Sequence, residues 1–121
     1  LRARFGGAMR QSGLLAACGL VALDSMVARL ADDHANARLI AERLAQVDGI
    51  AVDLATVQTN LVYLEVTRPG LSATEVVRRC AERDVHFFEL GHQRMRLVTH
   101  NDVTRDQCLA AVDVITEAIT S

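Results

Sequence analysis

The sequence contains no lysine: all 13 of its basic residues are arginine. Any mechanism that needs a primary amine from a side chain is therefore closed to these residues, although an alanine-, valine- and arginine-rich composition also follows from biased codon usage. Cysteine is sparse, with Cys18, Cys80 and Cys108 forming an odd set at wide spacing. Each has apolar sequence neighbours, which suits small core residues in a reducing compartment better than a disulfide framework or a zinc site. Long hydrophobic runs are also missing. The longest, Leu14 to Leu23, is ten residues and stops at Asp24, short of the ~20 that cross a bilayer, so no membrane partner is expected. Neither sign of charge dominates: 13 basic residues face 15 acidic ones, for a net charge of -2. With no basic block to follow a phosphate backbone, nucleic acid is not an expected partner. The chain opens Leu-Arg-Ala-Arg rather than with methionine, which leaves a targeting peptide neither found nor excluded, and a cytoplasmic location is the expectation.

What is present is enough for one core: 121 residues, half of them apolar, suit a single compact domain. Arg2 to Gln11 carries Gly6 and Gly7 among arginines and reads as an entry loop. Ser12 to Met26 is apolar nearly all round, so as a helix it should be buried on most sides, with a break or bend at Asp24-Ser25. Leu30, Ala37, Ile40, Ala41 and Leu44 recur at helical spacing, and Asp48-Gly49 ends this second helix with glycine in the left-handed position. Leu61 to Val66 reads as a strand closed by the Arg68-Pro69-Gly70 turn. Ser72-Ala73-Thr74-Glu75 has the form of a capping box, Leu71 and Val76 sit as its staple, and the helix should reach about Arg83. Val85 to Phe88 and Met95 to Thr99 are strand candidates joined through Gly91 as a hairpin. Thr104-Arg105-Asp106-Gln107 is a second capping box, stapled by Val103 and Cys108, before an apolar stripe of Cys108, Ala111, Val112, Ile115 and Ile119. The order is two helices, then strand, helix, strand, strand, helix: an α+β fold with helices on one face of a small, mainly antiparallel sheet.

Few residues invite a chemical role. His34 falls on a charged helix face, while His86 and His92 flank the hairpin without carboxylate or cysteine spacing that would hold a metal, so no metal site is expected. Gly6-Gly7, with Arg10 close behind, precede a helix; such glycines either serve as a flexible joint or let backbone amides approach an anion. Arg96 sits mid-strand between Met95 and Leu97, where a charge is costly unless exposed or paired. Alternation would put Arg94, Arg96 and His100 on one face, which reads equally as an exposed polar surface or a binding surface.

Three separated segments together resemble the threonine aldolase family of fold-type-I pyridoxal-phosphate enzymes. They are Gly6-Gly7-Ala8-Met9-Arg10-Gln11-Ser12-Gly13-Leu14-Leu15-Ala16-Ala17; Arg29-Leu30-Ala31-Asp32-Asp33-His34-Ala35-Asn36-Ala37, with the later Gln58-Thr59-Asn60; and Arg96-Leu97-Val98-Thr99-His100-Asn101-Asp102-Val103-Thr104. Their order matches over essentially the whole chain. The resemblance implies the small C-terminal domain of such an enzyme over residues 29–121, with residues 1–28 as the glycine-rich loop and helix that link it to the cofactor domain. It further implies pyridoxal 5'-phosphate as cofactor, and retro-aldol cleavage of threonine or a related β-hydroxy-α-amino acid to glycine and an aldehyde. That would be a carbon–carbon lyase of threonine catabolism and glycine biosynthesis, assembled as a homo-oligomer, either dimer or tetramer. Carried over by position, Arg96 is the clamp for the substrate α-carboxylate, while Arg10, with Gly6 and Gly7, approaches the phosphate of a cofactor held by a neighbouring subunit. Ala8 departs from the glycine usual in that segment, which weakens close backbone approach there. The lysine that holds the cofactor covalently is expected upstream of Leu1, so the chain by itself should carry no catalytic residue and be inert. Two other readings stand beside this one: another pyridoxal-phosphate amino-acid lyase, of the β-eliminating kind, and a non-catalytic α+β domain used in assembly or regulation.

Overall fold

The computed structural model describes residue 4 and residues 9–121. Two compact units divide the chain, residues 1–30 and residues 31–121. In the first, helix α1 (Ser12–Val21) runs into a wider π-type turn at Ala22–Met26, where the Ser25 hydroxyl donates to the Val21 carbonyl at 2.8 Å. The break expected at Asp24-Ser25 is thus a widening of the helical path. The burial expected for this helix is not found either: α1 has no buried residue, Leu14 and Leu23 are 70% and 71% exposed, and Cys18 is exposed too. A unit of this length has no second layer of its own to set against an all-round apolar helix.

The second unit holds the core. Helix α2 (Leu30–Leu44) is followed by a two-residue strand β1 (Ile50–Ala51) and a short 3₁₀ turn (Leu54–Thr56), neither of which has a periodicity long enough to read. Strand β2 (Leu61–Val66), helix α3 (Ala73–Ala81), strands β3 (Phe88–Gly91) and β4 (Arg94–Val98), and helix α4 (Arg105–Thr120) complete the order. The sheet runs β1-β2-β4-β3, antiparallel throughout. Val62 pairs with Leu97 and Leu64 with Met95, all four buried on one face. They join Ala37, Ile40, Ala41 and Leu44 of α2, Val76 and Cys80 of α3, and Cys108, Val112, Ile115 and Ile119 of α4 in a single cluster. Within this unit α2, α3 and α4 therefore cover one face of the sheet and leave the other without a helix. Among the described residues no single helix is long and apolar enough to cross a membrane.

The caps explain the boundaries. At Thr104 both halves of the capping box form. At Ser72 only one does: its hydroxyl accepts from the Glu75 amide at 3.1 Å, while the Glu75 carboxylate is taken by Arg78 and Arg79 at 2.8 Å each, two charges outcompeting one neutral amide. Helix α3 closes through Asp84, whose φ is +59°. The Asp84 amide donates to the Ala81 carbonyl and the Val85 amide to that of Cys80, the pairing of a Schellman motif with aspartate where glycine is usual.

The hairpin begins later than the sequence suggests. Phe88 rather than Val85 opens β3, because Val85 and Phe87 pack partly buried against the core as an irregular approach. At its tip His92 and Gln93 both have positive φ, 51° and 62°, as a two-residue type I′ loop requires. Gln93 offsets the backbone cost by clamping the start of α3: its Oε1 accepts from the Ala73 amide and its Nε2 donates to the Leu71 carbonyl, each at 2.9 Å.

Candidate functional site

Period-two alternation delivers a definite set of side chains to the open face. From β2 come Leu61, Tyr63 and Glu65, and from β4 come Arg94, Arg96 and Val98, the residues between them being buried. Strand β3 adds Phe88, paired with Arg96 and 66% exposed. Since β4 lies between β2 and β3, Arg96 rises from an inner strand with Tyr63 on one side and Phe88 on the other. Its Cζ stands over the Phe88 ring, 5.6 Å from the centroid, while Arg94 takes the Tyr63 ring at 5.9 Å. Glu65, the acid on this face of β2, lies opposite Arg94 rather than Arg96.

Arg96 is half-buried, and its Nε is fully buried without a hydrogen-bond partner. An unsatisfied buried donor on a charged group costs about 1–3 kcal/mol or more, so such an atom points to an acceptor that is to be supplied. Planar guanidinium and planar carboxylate match edge to edge, with Nε and one terminal nitrogen forming a fork for two oxygens. The open face also has a hollow of about 540 Å³, lined by Arg94 rather than Arg96, together with Asp53, Thr56, Tyr63 and Glu65.

The end of β4 is fixed by a buried polar knot. Thr99, 2% exposed, donates its hydroxyl hydrogen to the Asp33 carbonyl at 2.7 Å. Its amide donates to the Asn60 carbonyl at 3.0 Å, and Asn60 Nδ2 returns a bond to the Thr99 carbonyl at 2.8 Å. Asp33, Asn60 and Thr99 belong to separate stretches of the sequence that carried the family resemblance, and here they meet.

The other candidates are placed differently. Arg10 is exposed in the turn before α1. Next to it Gln11, with φ +51°, occupies the N-cap without a side-chain cap bond, leaving the first helical amides able to face an anion. Gly6 and Gly7 lie outside the described residues. His100 falls beyond the end of β4 and does not continue the Arg94–Arg96 alternation; its Nδ1 accepts from the Asp102 amide at 3.3 Å. His34, His86 and His92 are exposed. Among the described residues no group of three His, Cys, Asp or Glu side chains is placed to hold a metal ion. A second groove, of about 460 Å³, has His86, His100 and Asp102 on its lining with Val103 and Ala111. Sequence reading missed Phe88 and Tyr63 as the rings beneath the two guanidinium groups. The adjacent Phe87 and Phe88 were the signal, since alternation sends one ring inward and the other outward.

Similarity to known proteins covers most of the chain. The Beta-eliminating lyase family model matches residues 1–67. The chain is 37% identical over 105 residues to "Probable low-specificity L-threonine aldolase 2" of Arabidopsis thaliana, covering 86% of this chain and 30% of that protein. To the "Low specificity L-threonine aldolase" of Escherichia coli (strain K12) it is 37% identical over 102 residues, covering 84% and 28%. The chain thus spans about three tenths of the length of the curated relatives it matches. Among solved structures, MppP soaked with the product 2-ketoarginine superimposes with a TM-score of 0.67 at 16% identity, over 83% of this chain and 30% of that one. The glutamate decarboxylase of Lactobacillus brevis CGMCC 1306 does so with 0.61 at 17%, over 74% and 22%. These two share the fold. With more than half of its residues matched by the family model and threonine aldolases among its relatives, the chain belongs to the Beta-eliminating lyase family.

Proposed function

We propose that this chain is the carboxylate-binding part of a pyridoxal-phosphate-dependent aldolase that cleaves threonine or a related β-hydroxy-α-amino acid to glycine and an aldehyde. The observation that carries the reading is the Arg96 guanidinium on the open face of the sheet, with its buried Nε lacking an acceptor. A substrate α-carboxylate would complete it with two charge-assisted hydrogen bonds. Holding that group fixes rotation of the substrate about its own bonds, so that the Cα–Cβ bond is presented in one orientation; such placement is a large part of the rate enhancement available to an enzyme.

The residues present also fit a phosphate: the uncapped first turn of α1 and the exposed Arg10 combine oriented amides with positive charge. We assign Arg10 to the cofactor phosphate of a neighbouring subunit, together with Gly6 and Gly7 by their place in the sequence, which makes the working protein a homo-oligomer; its few, unpaired cysteines favour a reducing compartment such as the cytoplasm. Pyridoxal phosphate, when bound, supplies the conjugated system that accepts the electrons released by bond cleavage. In the net reaction the Cα–Cβ bond breaks, the β-hydroxyl loses its proton as the aldehyde forms, and Cα gains a proton to become glycine. With no lysine, the 121 residues alone have no group to hold the cofactor covalently and should not turn over threonine.

The test is Arg96→Ala in the full-length protein. Losing two charge-assisted bonds should cost roughly 1.5–3 kcal/mol, or about a tenfold to a hundredfold loss in kcat/KM, with cofactor affinity retained. Arg10→Ala should do the reverse and raise the cofactor dissociation constant. Unchanged kcat/KM in Arg96→Ala would reject the assignment. The match to the Beta-eliminating lyase family keeps a β-eliminating activity as the second reading; acetaldehyde among the products of threonine supports cleavage, and ammonia with a keto acid supports elimination.

A further inference from the structure

We propose that Phe88 is a positioning residue for Arg96, holding the guanidinium flat and dry while leaving its donors free for the substrate carboxylate; the inference rests on the carboxylate-clamp reading above. Phe88 lies outside the core cluster, whereas its neighbour Phe87 packs against it. A phenylalanine 66% exposed on the edge strand of a sheet spends its apolar area on nothing in the core. What the ring does touch is Arg96, whose Cζ lies over it at 5.6 Å.

The geometry of the two planar groups explains why a ring is the suitable partner. All five N–H donors of a guanidinium lie in its own plane. A carboxylate at the position of Phe88 would take that donor edge and compete with the substrate. An aromatic face instead attracts the cation through its quadrupole from above the plane, so it restrains the group and excludes water from one side without using a single donor. The buried Nε without a partner is the state this arrangement leaves. The other acid and cation on the same face are kept apart from it: Glu65 stands opposite Arg94, and Arg94 is drawn onto Tyr63 at 5.9 Å. On β3 itself, Glu89 is turned away from Arg96, its carboxylate accepting from the Thr74 hydroxyl at 2.8 Å.

The experiment is a double-mutant cycle in the full-length enzyme, with threonine as substrate and KM, kcat and melting temperature read for each variant. Phe88→Leu, which keeps an apolar side chain and removes the π face, should raise KM about threefold with kcat and melting temperature unchanged; Phe88→Met should repeat this, and Phe88→Tyr should restore KM. In an Arg96→Ala background, Phe88→Leu should have no further effect on KM. The proposal is overturned if Arg96→Ala raises KM while Phe88→Leu does not, or if Phe88→Leu raises KM equally in both backgrounds. If Arg96→Ala itself leaves kcat/KM unchanged, the clamp reading falls and this inference falls with it.

Discussion

The Thr99 hydroxyl and the Asp33 carbonyl meet at 2.7 Å across a separation of 66 residues, tying the end of β4 to the first turns of α2. Both residues are buried, so the bond is shielded from water. Thr99→Val keeps the shape and removes the donor. The variant should lose about 1 kcal/mol of stability, read as a lower urea midpoint with an unchanged slope; an unaltered midpoint would show that the knot does not hold the strand.

Asp84 adopts a left-handed conformation, φ +59°, in the closing turn of α3. Its Cβ is disfavoured there, and its negative charge faces the negative end of a helix. Asp84→Gly should therefore stabilise the chain by roughly 1 kcal/mol, seen as a raised melting temperature. A fall would mean that the Asp84 side chain has a role that its 4.0 Å approach to His86 does not reveal.

How much of this was legible beforehand depends on how many residues carry each signal. Strand β2 was read with its bounds intact, because Leu61–Val66 alternates over six positions and a proline turn follows. The full capping box at Thr104 formed as its spacing implies, whereas the one at Ser72 formed by half, since nothing in a four-residue pattern shows that Arg78 and Arg79 compete for Glu75. Strand β3 was read three residues early: Val85, Phe87 and Phe88 are all strand-forming types, and only the tertiary pairing with Arg96 decides which of them enters the ladder. Arg96 was legible as a charge out of place in a strand. The ring beneath it was not, because cross-strand neighbours follow from a register that the sequence does not state. The exposure of α1 was legible from its apolarity: a helix apolar on every side needs covering, and these 121 residues alone leave Leu14 to Leu23 without it.

The Glu75 carboxyl is held down from 4.5 to about 2, first by its hydrogen bond to Arg78 and then by that to Arg79. A depressed acid favours the fold while it is ionised in the native state. Its contribution is complete above the unfolded value of 4.5, declines as the pH falls below that, and is gone near 2. Glu75→Gln should narrow the difference in urea midpoint between pH 6 and pH 2, while a variant with the same acid limb as the parent would show the three-residue network to be without effect on stability.

Thiol reactivity should split the cysteines. Burial pushes the Cys80 thiol up to about 11 and raises that of Cys108, whereas Cys18 is exposed. With a thiol-specific reagent near neutral pH, the 121-residue chain should label at Cys18 first, and at Cys80 and Cys108 only as fast as the core opens. Equal rates at all three would contradict the packing of α3 and α4.

The irregular pairing between Glu89 and Gly91 makes the length of the hairpin a determinant of the electrostatics beneath it. Strand faces invert with every residue of slippage, so one residue added or removed at the tip would carry Glu89 to the side now held by Phe88. There its carboxylate would neutralise the guanidinium from within. A relative that inserts a residue at this turn is thus expected to have lost the acid opposite its arginine, or to bind its amino-acid substrates by other means.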